Sequence, residues 1–596
     1  MKLLKTEKLA TVLFLSLTGV MAPAQTAGSE GKPTSIAFVG VSVLPMDREV
    51  VLKNQTVIVR DGKIATIGPS STTSIPDGTR KIEAKGKYLI PGLTDAHVHL
   101  QTTTEFPLFL ANGVTTVFNL DGRPAHLKWR KGIAAGELLG PTIFTTGPIF
   151  TRAHKPEDAV RMVDEQAALG YDGVKIYNPV SKEEYPALIA EAKKKNMLLI
   201  GHVARGPDLE MTLAAGQSIA HLEEYTYTFF NPKHDNDNAH IVYDESKIPE
   251  AVALTAKSGI SVTPTLSTYA TIVEQATELE TFLKRSELRY DAPWILEGLQ
   301  PGVNRYQTGF TPDFYPRIRA SLALQRKLVK ALEDAMVPIL CGTDASDVGP
   351  VAGFGIHEEL QELVNDGFTP FEALQTATRN PARYFRQSEV FGTIEKGMRA
   401  DFVLLDGNPI ADIRNTRKIA GVMLGGRWIS IADLDRALAA VPQVYARDIH
   451  QFHLALVADP AEAVRSMEDN DPFGAVAQAA LLEIASGDGM GALKTVVKTI
   501  REKQPNSELV SERAVNALGY ELLRQKKYPD AIALLKMNAE DYPKSANTWD
   551  SLGEAQFNAG EVSDAVKNYK KALAVDPNYP NAVAAREFIE KHQAKE

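Results

Sequence analysis

The chain has 596 residues, 44% of them hydrophobic and 23% charged, with a net charge of −9. That is the make-up of a globular protein, but one too long for a single core, which stops growing at roughly 250–300 residues. No dense Lys/Arg block follows the first residues, which argues against nucleic acid as a partner. The lone cysteine, Cys341, excludes an intrachain disulfide, so stability must come from burial.

Residues 1–24 read as a signal peptide. Lys2, Lys5 and Lys8 form a basic start, residues 9–22 an apolar stretch too short to span a bilayer comfortably, and Ala22-Pro23-Ala24 a small-residue cleavage site. The expectation is an exported bacterial protein, periplasmic or secreted, with no membrane span after cleavage.

Residues 36–90 read as short strands. Thr56-Val57-Ile58-Val59-Arg60, Asp61-Gly62 and Ile64-Ala65-Thr66-Ile67 give apolar runs around a hairpin turn. A second β-rich piece covers residues 391–430, and the two are expected to pair into one β-sandwich. Between them, residues 91–390 alternate strand and helix. Strands are expected at 114–120, 142–149, 173–177, 198–203, 218–222, 261–266 and 338–345, besides the one entering His97. Eight β/α units predict an α/β fold, a (β/α)8 TIM barrel that binds ligands at the strand C-termini. The helical stretch 271–335 exceeds an ordinary connection and is expected to form a lid.

Beyond residue 430 the pattern is all-α. Residues 431–505 read as a helical linker or degenerate repeat. Within 511–590, Leu518-Gly519 matches Leu552-Gly553, Ala531 matches Ala565 and Pro543 matches Pro577 at a 34-residue offset, the period of tetratricopeptide repeats. Such arrays offer a docking surface for a protein partner or for self-association, or simply pack against the barrel.

The residues that carry chemistry sit at the strand ends. In Pro91-Gly92-Leu93-Thr94-Asp95-Ala96-His97-Val98-His99, alternate residues share a face of a strand, so His97 and His99 can meet on one metal ion. Lys175, His202, His221 and Asp344 close four further strands. Singly, each has an ordinary reading: a satisfied polar histidine, a helix-capping aspartate or a snorkelling lysine. Together, at the mouth of one barrel, they predict a metal centre. Tyr177 shares parity with Lys175, and His154 and Tyr225 follow the third and sixth strands; all three are candidate substrate contacts. By the same parity Cys341 faces the helix layer and reads as a packing residue, and His234 and His240 as exposed loop residues.

These motifs, with Gly342-Thr343-Asp344, His357-Glu358-Glu359-Leu360, Ala373-Leu374-Gln375-Thr376-Ala377-Thr378-Arg379-Asn380-Pro381-Ala382 and Gly392-Thr393-Ile394-Glu395-x-Gly397-x-x-Ala400-Asp401, resemble the amidohydrolase superfamily. The likeness is to its binuclear, carbamylated-lysine type, which includes imidazolonepropionase-like and prolidase-like enzymes. The resemblance implies two divalent metal ions, zinc by donor type, and N6-carboxylysine at Lys175. One ion would take His97, His99, Asp344 and the carbamate, the other the carbamate, His202 and His221. It implies hydrolysis of a small amide or peptide substrate by a metal-bridging hydroxide, as in a dipeptidase, a prolidase-like enzyme or an N-acyl-amino-acid amidase, with Asp344 as the catalytic proton carrier. A mononuclear deaminase or cyclic-amide hydrolase of the same superfamily stays open, as does an interaction protein with a vestigial barrel.

Overall fold

The computed structural model describes residues 35–151, 153, 155–231, 241–346, 349–467 and 470–593. The expected signal peptide and His154, His234 and His240 lie outside the described residues.

Five strands open the described chain: β1 (Ser35–Val43), β2 (Leu52–Arg60), β3 (Lys63–Pro69), β4 (Arg80–Glu83) and β5 (Tyr88–Pro91). Seven short ones follow: β6 (Leu93–Val98), β7 (Val114–Asn119), β8 (Thr142–Thr145), β9 (Gly173–Ile176), β10 (Leu198–Gly201), β11 (Ser218–Ala220) and β12 (Val262–Thr263). The last three are β13 (Phe402–Leu405), β14 (Ile419–Leu424) and β15 (Arg427–Ser430).

The two outer groups form one sheet in the order β15-β14-β13-β5-β1-β2-β3, with β4 also on β1. Its seam is the antiparallel pairing of β13 with β5, Phe402 opposite Pro91 and Leu405 opposite Tyr88. Where a sandwich was expected, the two pieces share one hydrogen-bonded sheet. Asp61 (φ 51°) and Gly62 (φ 75°) make the tight turn that sets Arg60 opposite Lys63; two positive φ values in a two-residue loop match the twist of the flanking strands. Phe38, Val57, Ile394, Phe402 and Met423 pack into one apolar cluster on this sheet.

The inner strands form two parallel sheets, β6-β7-β8 and β12-β11-β10-β9. Their residues are buried along nearly their whole length, as strands covered on both faces must be. Isolated parallel bridges join Thr146 to Gly173, Phe150 to Ile176, Val262 to Ile339, and Val98 to Ala345. The expected strand at 338–345 is therefore present only as bridges. Asp344 takes φ 53°, a left-handed conformation that interrupts extended pairing.

Helices separate the inner strands. In Pro156–Leu169, Pro at the first position and Glu157 and Asp158 in the first turn favour the start, and Ala159, Val163 and Gln166 form the buried stripe. Between β12 and Ile339 run helices Leu266–Phe282, Pro293–Gly298, Arg305–Gly309 and Tyr315–Asp334.

After β15 the chain is mostly helical. Ser430 caps the 28-residue helix Ile431–Ala458 by accepting from Asp433 N, and successive helices to Ala582–Gln593 pack on one another. This region abuts the helical insertion: Tyr445 meets Trp294 edge to face at 5.6 Å, and the Arg524 guanidinium donates to the Glu297 carbonyl. Among the described residues no helix is long and apolar enough to cross a membrane.

Candidate metal centre

The first three ligand candidates are held by backbone pairing between β6 and the 338–345 segment. Ala96 N donates to Cys341 O and Asp344 N to His97 O, both at 2.8 Å. Buried Asp95 tightens the joint: its Oδ1 accepts from His97 N (3.2 Å) and Thr343 N (3.0 Å), and its Oδ2 accepts from the Thr343 hydroxyl (2.6 Å). Burial pushes the Asp95 carboxyl up to about 7.

As a result Asp344 Oδ1 lies 3.0 Å from Nε2 of His97 and 3.0 Å from Nε2 of His99. Lys175 Nζ, on β9, lies 3.2 Å from the same His97 Nε2. His221 follows β11 with its ring centroid 4.6 Å from that of His97, and His202 follows β10 with its centroid 4.8 Å from that of His221. The structure thus brings His97, His99, Lys175, His202, His221 and Asp344 into one contiguous cluster.

Burial, reinforced by the Lys175 charge, lowers His97 to about 3 and holds His202 well below the usual imidazole range; burial does the same to His221. These three imidazoles are neutral at physiological pH, with lone pairs free to bind. Burial also pulls the Lys175 amine down to about 8. For Asp344 burial works toward protonation, but the neighbouring His97, His221 and His99 outweigh it and hold the carboxylate well below its usual range.

The donor set fits a cation. Asp344 Oδ1 is buried with no hydrogen-bond partner, yet two imidazole nitrogens face it. Three potential ligand atoms converge within coordinating reach of one another, an arrangement that a divalent ion would satisfy. The backbone carries strain at the same place: His221 (φ 74°), Thr265 (φ 51°) and Asp344 (φ 53°) are all left-handed, and residues held this way cost of order 1–3 kcal/mol each.

Two supporting residues escape a reading of the sequence. Glu224 Oε1 lies 2.6 Å from His202 Nδ1, and Thr265 Oγ1 lies 2.8 Å from His221 Nδ1. Partners on the far nitrogen fix the ring and its tautomer. Of the candidate substrate contacts, Tyr177 stacks edge-on against His202 with centroids 4.5 Å apart. Tyr225 is fully buried and hydrogen-bonded through its hydroxyl to Thr255 on helix Ile248–Ser258, so it packs the core. Cys341 is buried in the same core.

A cavity of about 320 Å³ lies between the segment after β6 and the helical insertion. It is lined by Gln101 and Ser346, each two residues from a ligand candidate, and by Trp294, Asn304 and Tyr306 from the helical insertion. Trp294 Nε1 donates to Gln101 Oε1 at 2.6 Å, and Gln101 Nε2 donates to Ser346 O at 2.8 Å.

Comparison with known proteins agrees with this architecture. The model of the amidohydrolase family matches residues 88–429. Ochratoxinase from Aspergillus niger is 22% identical over 452 residues, covering 69% of this chain and 90% of its own length. Adenine deaminase from Paracoccus denitrificans is 23% identical over 465 residues, covering 74% of this chain and 65% of its own. Among solved structures, bottromycin amidohydrolase aligns with a TM-score of 0.56 at 23% identity over 69% of this chain and 92% of that one. A Xaa-Pro dipeptidase with bound methionine aligns at 0.51 and 19% identity over 66% and 100%. The fold is of the amidohydrolase α/β type, extended by a mostly helical C-terminal region.

Proposed function

The chain belongs to the amidohydrolase family and is a metal-dependent hydrolase acting on carbon–nitrogen bonds; we propose that its substrate is a small linear amide, a dipeptide or an N-acyl amino acid. The observation that carries this reading is the convergence of His97, His99, Lys175, His202, His221 and Asp344. The parallel bridges between the two inner sheets support a closed eight-stranded barrel with the cluster at its mouth. The helices after Glu512 support tetratricopeptide repeats and, through them, a protein partner. The residues before position 25 support export to the periplasm or medium.

A pair of ions, zinc by the nitrogen-rich donor set, would supply an acidified water and a Lewis acid for the substrate carbonyl. His97, His99 and Asp344 would hold one, and His202 and His221 the other. Lys175 is suited to link them: an ammonium beside dications would be repelled, whereas its amine, already lowered to about 8, can add carbon dioxide and become a bidentate anion. Asp344 keeps Oδ1 between His97 and His99, leaving Oδ2 to take a proton and return it to the departing nitrogen, a transfer that amide cleavage requires. Tyr177 and the cavity that Trp294 lines would give the substrate its walls. A deaminase or cyclic-amide hydrolase with a single ion has no use for Lys175 within reach of His97.

The test is a screen of purified, zinc-loaded protein against dipeptides and N-acyl amino acids, with metal content counted. Two ions per chain, release of free amine, and loss of turnover in Asp344→Asn at zinc concentrations that saturate the site are expected. One ion per chain with ammonia released from a nucleobase would replace this reading with the deaminase one.

A further inference from the structure

A second cluster lies on the C-terminal helices. His450 and His453 stand one turn apart on helix Ile431–Ala458, and Glu483 faces them from helix Ala475–Gly487. Glu483 Oε1 is 2.7 Å from His450 Nδ1 and 3.4 Å from His453 Nδ1, and the three atoms lie within 4.8 Å of one another. Bonds of about 2.0–2.1 Å to tetrahedral zinc place ligand atoms roughly 3.3–3.4 Å apart, so only a small adjustment separates this arrangement from a coordination shell.

The surroundings of His453 point the same way. Asp488 Oδ2 lies 2.5 Å from His453 Nε2. That contact takes up Nε2 and turns Nδ1 toward Glu483. That Nδ1 belongs to a side chain only 9% exposed, has no hydrogen-bond partner, and faces the Glu483 carboxylate. A cation between them would satisfy both atoms. A carboxylate on one imidazole nitrogen with a metal on the other is also how protein sites orient a ligating histidine.

We propose that His450, His453 and Glu483 hold a further divalent cation, zinc by donor type, which pins helix Ala475–Gly487 to helix Ile431–Ala458 and leaves its solvent side to water. Asp488 is the positioning residue that holds the His453 ring. The site uses none of the residues of the hydrolase centre, so its failure and the failure of the proposed activity are separable.

The experiment uses the full chain. Zinc is stripped, then returned by titration against a chromophoric chelator, and melting is followed by circular dichroism. His450 is exposed and Glu483 partly so, which makes His450→Ala and Glu483→Gln mild for packing. Each is expected to bind one zinc fewer per chain than the parent and to lose part of the rise in melting temperature that zinc gives the parent. Asp488→Asn should keep the site with affinity about 10–100-fold weaker. Equal zinc content and equal affinity in the parent, His450→Ala and Glu483→Gln would overturn the proposal and leave the cluster as an ion-pair network.

Discussion

Glu224 Oε1 sits 2.6 Å from Nδ1 of His202. The contact decides which nitrogen of that ring is available. If Glu224 is ionised it accepts the Nδ1 proton and leaves Nε2 as a lone pair. Burial pushes the Glu224 carboxyl up to about 8, while Lys175 and Arg205 draw it back; a cation beyond the ring favours the ionised form further. Glu224→Gln keeps the shape but can donate to Nδ1, stabilising the wrong tautomer. Metal affinity is expected to fall about 10–100-fold, read as the metal retained per chain after dialysis against a weak chelator, with the melting of metal-free protein nearly unchanged. Unaltered retention would mean that His202 does not bind through Nε2.

Gly201 precedes His202 and takes φ 151°, and a Cβ added there would lie 2.1 Å from Ile176 O and 2.7 Å from Ile176 N. Both are backbone atoms of β9, the strand that carries Lys175, so neither can swing aside. Gly201→Ala must part β10 from β9 and is expected to destabilise by about 3 kcal/mol, measured by urea unfolding. The same shift moves His202 away from Lys175, so metal content should fall along with stability. A fully stable Gly201→Ala would show the two strands to be looser than their pairing suggests.

His126 offers a pH test away from the ligand cluster. Its Nδ1 accepts from Arg123 N at 2.8 Å and its Nε2 pairs with Leu100 O at 2.9 Å, so the neutral ring is fully used and a second proton has no acceptor. Burial lowers it to about 4 from 6.5. The unfolded chain therefore takes up a proton as the pH falls through 6.5 while the folded chain does so only near 4, and stability is lost across that window. The loss should reach about 2 kcal/mol by pH 5. Urea unfolding at pH 7.5 and 5 should show His126→Asn less stable than the parent at the higher pH and the gap closing at the lower. A constant gap would place the His126 pKa near its unfolded value.

What could be read in the sequence was what depends on near neighbours. His97 and His99 are two residues apart, Asp344 closes a short motif, and Asp61-Gly62 announces its own turn. Partners across the fold left no such trace: Glu224 is 22 residues from His202, and Thr265 is 44 from His221. Position after a strand could not say which way Tyr225 points, and the structure bonds it to Thr255. The 338–345 segment looked extended because its apolar run is, yet the left-handed backbone at Asp344 follows from tertiary constraint. The pair His450 and His453 is visible on the helix, but it means nothing until Glu483 arrives from another one.

Trp294 ties the helical insertion to the segment that follows β6. Its Nε1 donates to Gln101 Oε1, and its ring meets Tyr445 of the C-terminal helices. It also lines the cavity edged by Gln101 and Ser346; if that cavity receives the substrate, Trp294 is a wall of it that does not touch the reacting atoms. Removing such a wall takes binding from the ground state and the transition state alike, which raises KM and spares kcat. Trp294→Phe, which loses only the N–H donor, is expected to raise KM a few-fold. Trp294→Ala, which also loses the wall and the contact with Tyr445, should raise it roughly 10-fold, about 1.4 kcal/mol. The measurement is steady-state kinetics on the best substrate from the amide screen, at full metal loading. A fall in kcat at unchanged KM would instead assign Trp294 to the positioning of Gln101 and the ligand-bearing loop, and would move the substrate path to another face of the cluster.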